Sequence, residues 1–302
     1  MMRFRWCRCL LALTLLLAAG CQSTRRPPPP YLRGSFGTYD GEPRLPNGHV
    51  DLDLQLSELG EMKANTYNWL IWHNTNDWAD LKAFLPRARK AGINVWVTLV
   101  PPSESPPREA RFSEPFRLDY EQWAREIGRL SRHERNLVAW SIDDFVENRK
   151  FFTPRRVREM VQAACDGNPG LAFIPCCYLR DITPAFAKDY APMLRGVLFP
   201  YRAESEGTNL QDPSQVGAEV QKIRSVLGPA MLVFLDVYAT PHASYPNGSS
   251  PAYIREVMAR GRRCADGVMV YCHQGRKSYP EKFSVLEEQF QTWSLQPWPE
   301  AR

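Results

Sequence analysis

The sequence predicts a single (β/α)8 barrel. Three observations carry the prediction. Apolar, β-branched runs alternate with stretches of 3.6-residue period. Eight such runs fit between residues 32 and 302. Polar and aromatic residues gather where the runs end, and short glycine turns precede several of them.

The elements follow in order. The first strand is Leu32–Tyr39 and the second is Thr66–His73. A helix then runs from Asp77 to Ala91 and stops at Gly92. The third strand, Asn94–Val100, ends at Pro101-Pro102, and a loop leads to a helix over Asp119–Arg132. The fourth strand is Leu137–Asp143. Thr153-Pro154 caps the next helix, since Thr accepts from free N–H groups and Pro suits the first helical position. The fifth strand is Phe173–Tyr178, followed by a short helix from Thr183-Pro184. The sixth strand, Gly196–Tyr201, leads to a helix over Ser214–Leu227. The seventh strand is Met231–Tyr238, and a helix over Pro251–Arg262 leads to the eighth strand, Gly267–Tyr271. A helix over Glu281–Trp293 closes the barrel. An open doubly wound sheet is the competing fold. Its first turn would be glycine-rich, whereas Tyr39-Asp40-Gly41-Glu42-Pro43 carries no dinucleotide fingerprint.

Composition narrows the function. A hydrophobic share of 44% supports a large core and excludes a disordered chain. The net charge is +5, of which Arg3, Arg5 and Arg8 supply most, and no basic stripe follows, so no nucleic-acid partner is expected. No apolar run reaches the ~20 residues of a membrane-spanning helix. The 9 tryptophans and 12 tyrosines suit both a core and a sugar-binding cleft.

The N-terminus reads as an address. Arg3, Arg5 and Arg8 precede the apolar stretch Leu10–Ala19, and Ala18-Ala19-Gly20-Cys21 follows. This resembles a bacterial lipoprotein signal. The resemblance implies removal of residues 1–20, lipidation of Cys21 and a membrane anchor. Gln22 after the cysteine implies the outer membrane. Residues 21–31, with Pro27–Pro30, form a semi-rigid tether, and 32–302 form the barrel domain. Cys165, Cys176, Cys177, Cys264 and Cys272 would remain after export. That is an odd number without zinc spacing, so at least one is free or pairs between molecules.

A barrel places its site at the C-terminal strand ends. There the sequence offers Asp40, then Trp72, His73 and Asn74, then Glu104. Next come Asp143 and Asp144, Tyr178, Tyr201, Asp236 and Tyr238, His242, and finally Tyr271 and His273. Strand alternation sends Val138, Trp140 and Ile142 outward and turns Asp143 to the axis. The same alternation turns Asp236 and Tyr271 inward, so these three side chains converge. Asp144 returns to the cavity only if the chain bends after the strand. Adjacent carboxyls push their pKa values apart. Glycoside cleavage needs such a division between an acid and a carboxylate. Asp143, Asp144 and Asp236 are therefore the candidate catalytic residues, with Glu104 as an alternative partner to Asp236. The aromatics and Asp40, His73, Asn74 and His273 are candidate sugar contacts. No metal or cofactor is expected.

The segment Ala139-Trp140-Ser141-Ile142-Asp143-Asp144-Phe145 resembles the barrel glycosidases that cleave N-acetylhexosamines, the O-GlcNAcase-like β-N-acetylglucosaminidases among them. The resemblance implies that Asp143 orients the substrate's acetamido group and that Asp144 is the general acid/base. The chain lacks that family's Glu-Gly-Phe-Tyr-Gly opening; its first strand reads Gly34-Ser35-Phe36-Gly37-Thr38-Tyr39. The expected function is an envelope-anchored glycoside hydrolase acting on a poly- or oligosaccharide. One alternative is a carbohydrate-binding or scaffold lipoprotein without turnover. Another is a metal-dependent hydrolase using the histidines with Asp236, although the chain has no His-x-His after its first strand.

Overall fold

A computed structural model describes residues 32–240 and 249–300. Eight parallel strands run in the order β5-β4-β3-β2-β1-β8-β7-β6. They are β1 (Ser35–Tyr39), β2 (Thr66–Ile71), β3 (Asn94–Leu99), β4 (Leu137–Ile142), β5 (Ala172–Phe173), β6 (Gly196–Tyr201), β7 (Leu232–Tyr238) and β8 (Gly267–Tyr271). The helices are α1 (Leu52–Met62), α2 (Asp77–Lys90), α3 (Tyr120–His133), α4 (Pro154–Gly167), α5 (Pro184–Tyr190), α6 (Val216–Leu227), α7 (Pro251–Cys264) and α8 (Pro280–Ser294). The β5–β6 seam is closed by single bonds: Arg195 N donates to the Phe173 carbonyl, Leu198 N to that of Pro175, and Cys177 N to that of Leu198. The chain is a (β/α)8 barrel, as the alternation predicts.

Two apolar layers hold it. Val197, Val233, Leu235, Val237, Val268 and Val270 face the helices in one large cluster. Trp96, Ala139, Leu198, Phe234 and Met269 fill the axis in a smaller one. Trp96 meets Phe234 edge-on at 4.7 Å between ring centroids, which floors the barrel beneath its mouth. Helices α3 and α4 pack backbone to backbone. A Cβ on Gly128 would lie 2.4 Å from the Ala164 carbonyl oxygen, so only glycine fits there.

Three features depart from the sequence reading. Helix α1 was not anticipated. Its Leu52, Leu54 and Leu56 alternate as in a strand, while the Asp51 side chain caps it by accepting from Leu54 N. The fifth strand is shorter than Phe173–Tyr178, because Pro175 has no N–H to give to a ladder. Val138 faces the axis, not the helices. The β3–β4 register shifts between Val95 and Trp96, and this bulge turns one extra residue inward. The predicted signal (1–20), the lipidated Cys21 and its tether, and His242 lie outside the described residues. No helix among the described residues is long and apolar enough to cross a membrane. Cys176, Cys177, Cys264 and Cys272 are free thiols.

Candidate active site

The site is built on the bend after β4. Asp143 continues the ladder, its N–H donating to the Leu99 carbonyl at 2.9 Å. The Tyr39 hydroxyl donates to Asp143 Oδ2, and Asp144 N donates to Asp143 Oδ1 at 3.0 Å. The chain then turns through a left-handed residue, Asp144 at φ 40° and ψ 36°. That turn supplies the bend the sequence required, and it returns the second carboxyl to the cavity. Asp tolerates this conformation better than most side chains. Tyr178 Oη donates to Asp144 Oδ1 at 2.7 Å. Asn148 ties the turn down. Its Nδ2 donates to the Asp144 carbonyl at 2.9 Å and to Ser103 Oγ at 2.8 Å, which joins the β3 and β4 loops. The β3 loop carries Glu104 against the pair.

Burial and mutual repulsion set the protonation of these groups. Burial first, then the Asp143 charge, pushes Asp144 up to about 6, while the Tyr178 hydrogen bond and Arg202 oppose the rise. Asp143 is raised by burial, against the hydrogen bonds from Tyr39 and Cys176. Glu104 is pushed up to about 9 by burial and by Asp143 and Asp144. Asp236 projects from β7 and is only 2% exposed. Burial, Asp143 and Asp40 hold it well above the carboxylate range. Its Oδ1 has no hydrogen-bond partner. Asp40 is pushed up to about 6 by burial and by Glu42, with His73 opposing.

Aromatic faces line the mouth. Tyr271 lies 5.3 Å from Tyr39 and 5.6 Å from Tyr238, centroid to centroid. The Arg202 guanidinium sits 4.1 Å over the Tyr178 ring. Trp72 packs against the axial cluster, and its indole N–H is buried without a partner. His73 Nδ1 lies 3.3 Å from Asp40 Oδ1.

The predicted residues thus divide. Asp40, Trp72, His73, Asp143, Asp144, Tyr178, Asp236, Tyr238 and Tyr271 gather at the mouth. Three others do not. Tyr201 lies on the helix-facing side of β6, where its hydroxyl donates to the Asp212 carbonyl at 2.6 Å. His273 is buried between Thr38 Oγ1 at 3.0 Å and Glu58 Oε2 at 2.9 Å, behind the barrel wall. Asn74 shapes the entry to α2, its Oδ1 accepting from Asn76 N at 3.1 Å. Tyr39, which the sequence puts at the end of the first strand, and Cys176 join the residues at the mouth. Nothing in the sequence pointed to Cys176 beside Asp143.

Two groups bring potential metal ligands within 4.8 Å of one another: Asp40, Glu42 and His73, and Asp143, Asp144 and Cys176. Arg44 already stands 3.6 Å from Glu42 and 2.9 Å from Asp77, which supplies positive charge to the first group. In the second, burial and the neighbouring carboxylates push the Cys176 thiol up, away from the thiolate a metal needs.

Solved structures that share the (β/α)8 fold include glycoside hydrolases. Similar solved structures include GH5_18 from Streptomyces cattleya in complex with GlcNAc. That structure has a TM-score of 0.63 and 14% identity, and the match covers 89% of this chain and 82% of that one. A variant of the same enzyme, holding Manβ1-4GlcNAc, matches with TM-score 0.60 and 13% identity over 88% of this chain and 83% of that one. A glucosidase from Croceicoccus marinus matches with TM-score 0.59 and 14% identity over 87% of this chain and 67% of its own. No family model and no curated protein sequence matches the chain.

Proposed function

We propose that this protein is a glycoside hydrolase held to a bacterial envelope, with Asp144 as proton donor to the leaving oxygen. One observation carries the reading. The β4 bend presents two adjacent carboxyls to an aromatic-lined mouth, each fixed by a tyrosine hydroxyl. With a pKa of about 6, Asp144 can both hold a proton and release it near neutral pH. Asp143 has a fixed rotamer and faces inward. It supplies negative charge to the cationic transition state, or to an acetamido group if the substrate carries one. Asp236 faces the pair from β7 and is the second carboxyl of the reaction. The carbohydrate ligands in two of the similar barrels support the substrate class. The envelope anchor rests on the basic start, the Leu10–Ala19 stretch and Cys21.

A second reading is favoured by a different observation. Burial and the Asp143 and Asp40 charges disfavour the ionised form of Asp236, which weakens it as a nucleophile in the free site. A barrel that binds glycans without cleaving them would tolerate this. The two readings separate in one experiment. The full chain is incubated with a panel of oligo- and polysaccharides, and products are read by mass spectrometry beside Asp143→Asn and Asp144→Asn. Cleavage lost in both variants supports the hydrolase. Glycan binding without cleavage, unchanged in the variants, supports the binding barrel.

A further inference from the structure

The mouth of the barrel holds more acid than base. Asp40, Glu104, Asp143, Asp144 and Asp236 reach it from the ends of β1, β3, β4 and β7. The nearby arginines act on Asp144 through space but pair with other carboxylates. Arg202 pairs with Glu204. Arg180 pairs with Glu147 at 2.6 Å and with Asp181 at 3.5 Å. His73 faces Asp40. Among the described residues, Glu104, Asp143, Asp144 and Asp236 take part in no ion pair. Asp143, Asp144, Glu109 and Asp40 act on Glu104, with the Tyr120 hydroxyl also near, and together with burial the acids favour its protonated form.

A second observation points to what is missing. Asp236 is 2% exposed, lies on the axial side of β7, and has an Oδ1 with no donor. A buried carboxyl oxygen without a partner is costly, and a bound ligand that supplies one relieves that cost. A sugar hydroxyl donates one hydrogen bond and brings no charge. An acetamido group likewise donates one, through its N–H. A protonated amine donates three and adds a full positive charge beside acids that make no ion pair.

We propose that the site takes a sugar unit bearing a free, protonated amine, as in a de-N-acetylated hexosamine oligomer. The ammonium group would lie among Glu104, Asp236 and the Asp143–Asp144 pair, with the ring against Tyr271 or Tyr238. This rests on the carbohydrate reading above and names the substrate class within it. Ammonium binding draws Glu104 toward its ionised form, so protons leave as the ligand enters.

The test is calorimetric titration of the full chain with glucosamine tetramer and, separately, with N-acetylglucosamine tetramer. Both are run at neutral pH and low salt, in two buffers of different ionisation enthalpy. We expect the amine tetramer to bind at least tenfold more tightly, with proton release. Added salt should weaken the amine tetramer and leave the acetylated one unchanged. Glu104→Gln, which keeps the shape and cannot ionise, should abolish proton release and lower the preference several-fold. Equal or tighter binding of the acetylated tetramer would overturn the amine assignment and leave the carbohydrate reading standing. Amine binding without proton uptake or release, and insensitive to salt, would also overturn it. If neither tetramer binds and no other glycan of the panel does, both readings fall.

Discussion

Tyr178 donates a 2.7 Å hydrogen bond to the carboxyl that the account makes the acid. Tyr178→Phe removes that bond and keeps the ring under Arg202. A hydrogen bond to a charged group is worth about 1.5–3 kcal/mol. At about 1.4 kcal/mol per pKa unit, its loss raises the Asp144 pKa by about one to two. The sign follows because the bond favours the ionised form, so deleting it favours the protonated one. From a starting value of about 6, Asp144 in the variant keeps its proton into mildly alkaline solution. As the acid, Asp144 governs the alkaline limb of the kcat/KM profile. The assay is that profile on the glycan found by the panel, paired with a carbon-13 NMR titration of the carboxyls, which needs no turnover. The alkaline limb and the NMR midpoint should both move up by about one to two pH units. An unmoved limb with a moved midpoint would refute Asp144 as the acid. A midpoint that stays or falls would refute the electrostatic reasoning itself.

Further outcomes are expected. Asp144→Asn should lower turnover by about 10²–10⁴-fold, the usual contribution of a general acid, with circular dichroism unchanged. Glu104 is raised from its ordinary 4.5 to about 9, so the folded state binds its proton more tightly than the unfolded chain. Stability therefore falls as pH rises between those values, and Glu104→Gln should flatten the dependence of the melting temperature on pH over that window. A wild-type profile flat from pH 5 to 9, within error of the variant, would contradict this. Gly128→Ala presses a methyl against the Ala164 carbonyl and should destabilise by about 1–3 kcal/mol or more in urea unfolding. Cys21→Ser should abolish incorporation of labelled palmitate in bacteria and release the protein from the membrane fraction.

Much of the fold was legible because the barrel's inner and outer layers impose a simple pattern. Gly196–Tyr201 and Gly267–Tyr271 fall where the apolar runs placed them, and Thr153 caps α4 by accepting from Arg156 N. Failures came where local rules compete. The alternating leucines hid α1, and Pro175 cut β5 short. At the site, alternation brought Asp143, Asp236 and Tyr271 to one cavity. The same parity argues against Tyr201, which shares a face with Val197 and Phe199 and so points at the helices. His273 was harder to place. It follows the end of β8 and turns outward to Glu58, a partner on the unanticipated α1. The left-handed turn at Asp144 is a backbone choice, and the Asp-Asp pair alone did not specify it.

The central claim is that the β4 carboxyl pair performs glycoside cleavage. Its most direct test is product analysis by mass spectrometry of the full chain on the glycan panel, including the amine and acetylated tetramers, beside Asp143→Asn and Asp144→Asn. The account predicts new reducing ends with the native chain and their loss in both variants, with folding retained. Cleavage that persists in both variants would contradict it, and so would bound glycan that the native chain never cleaves.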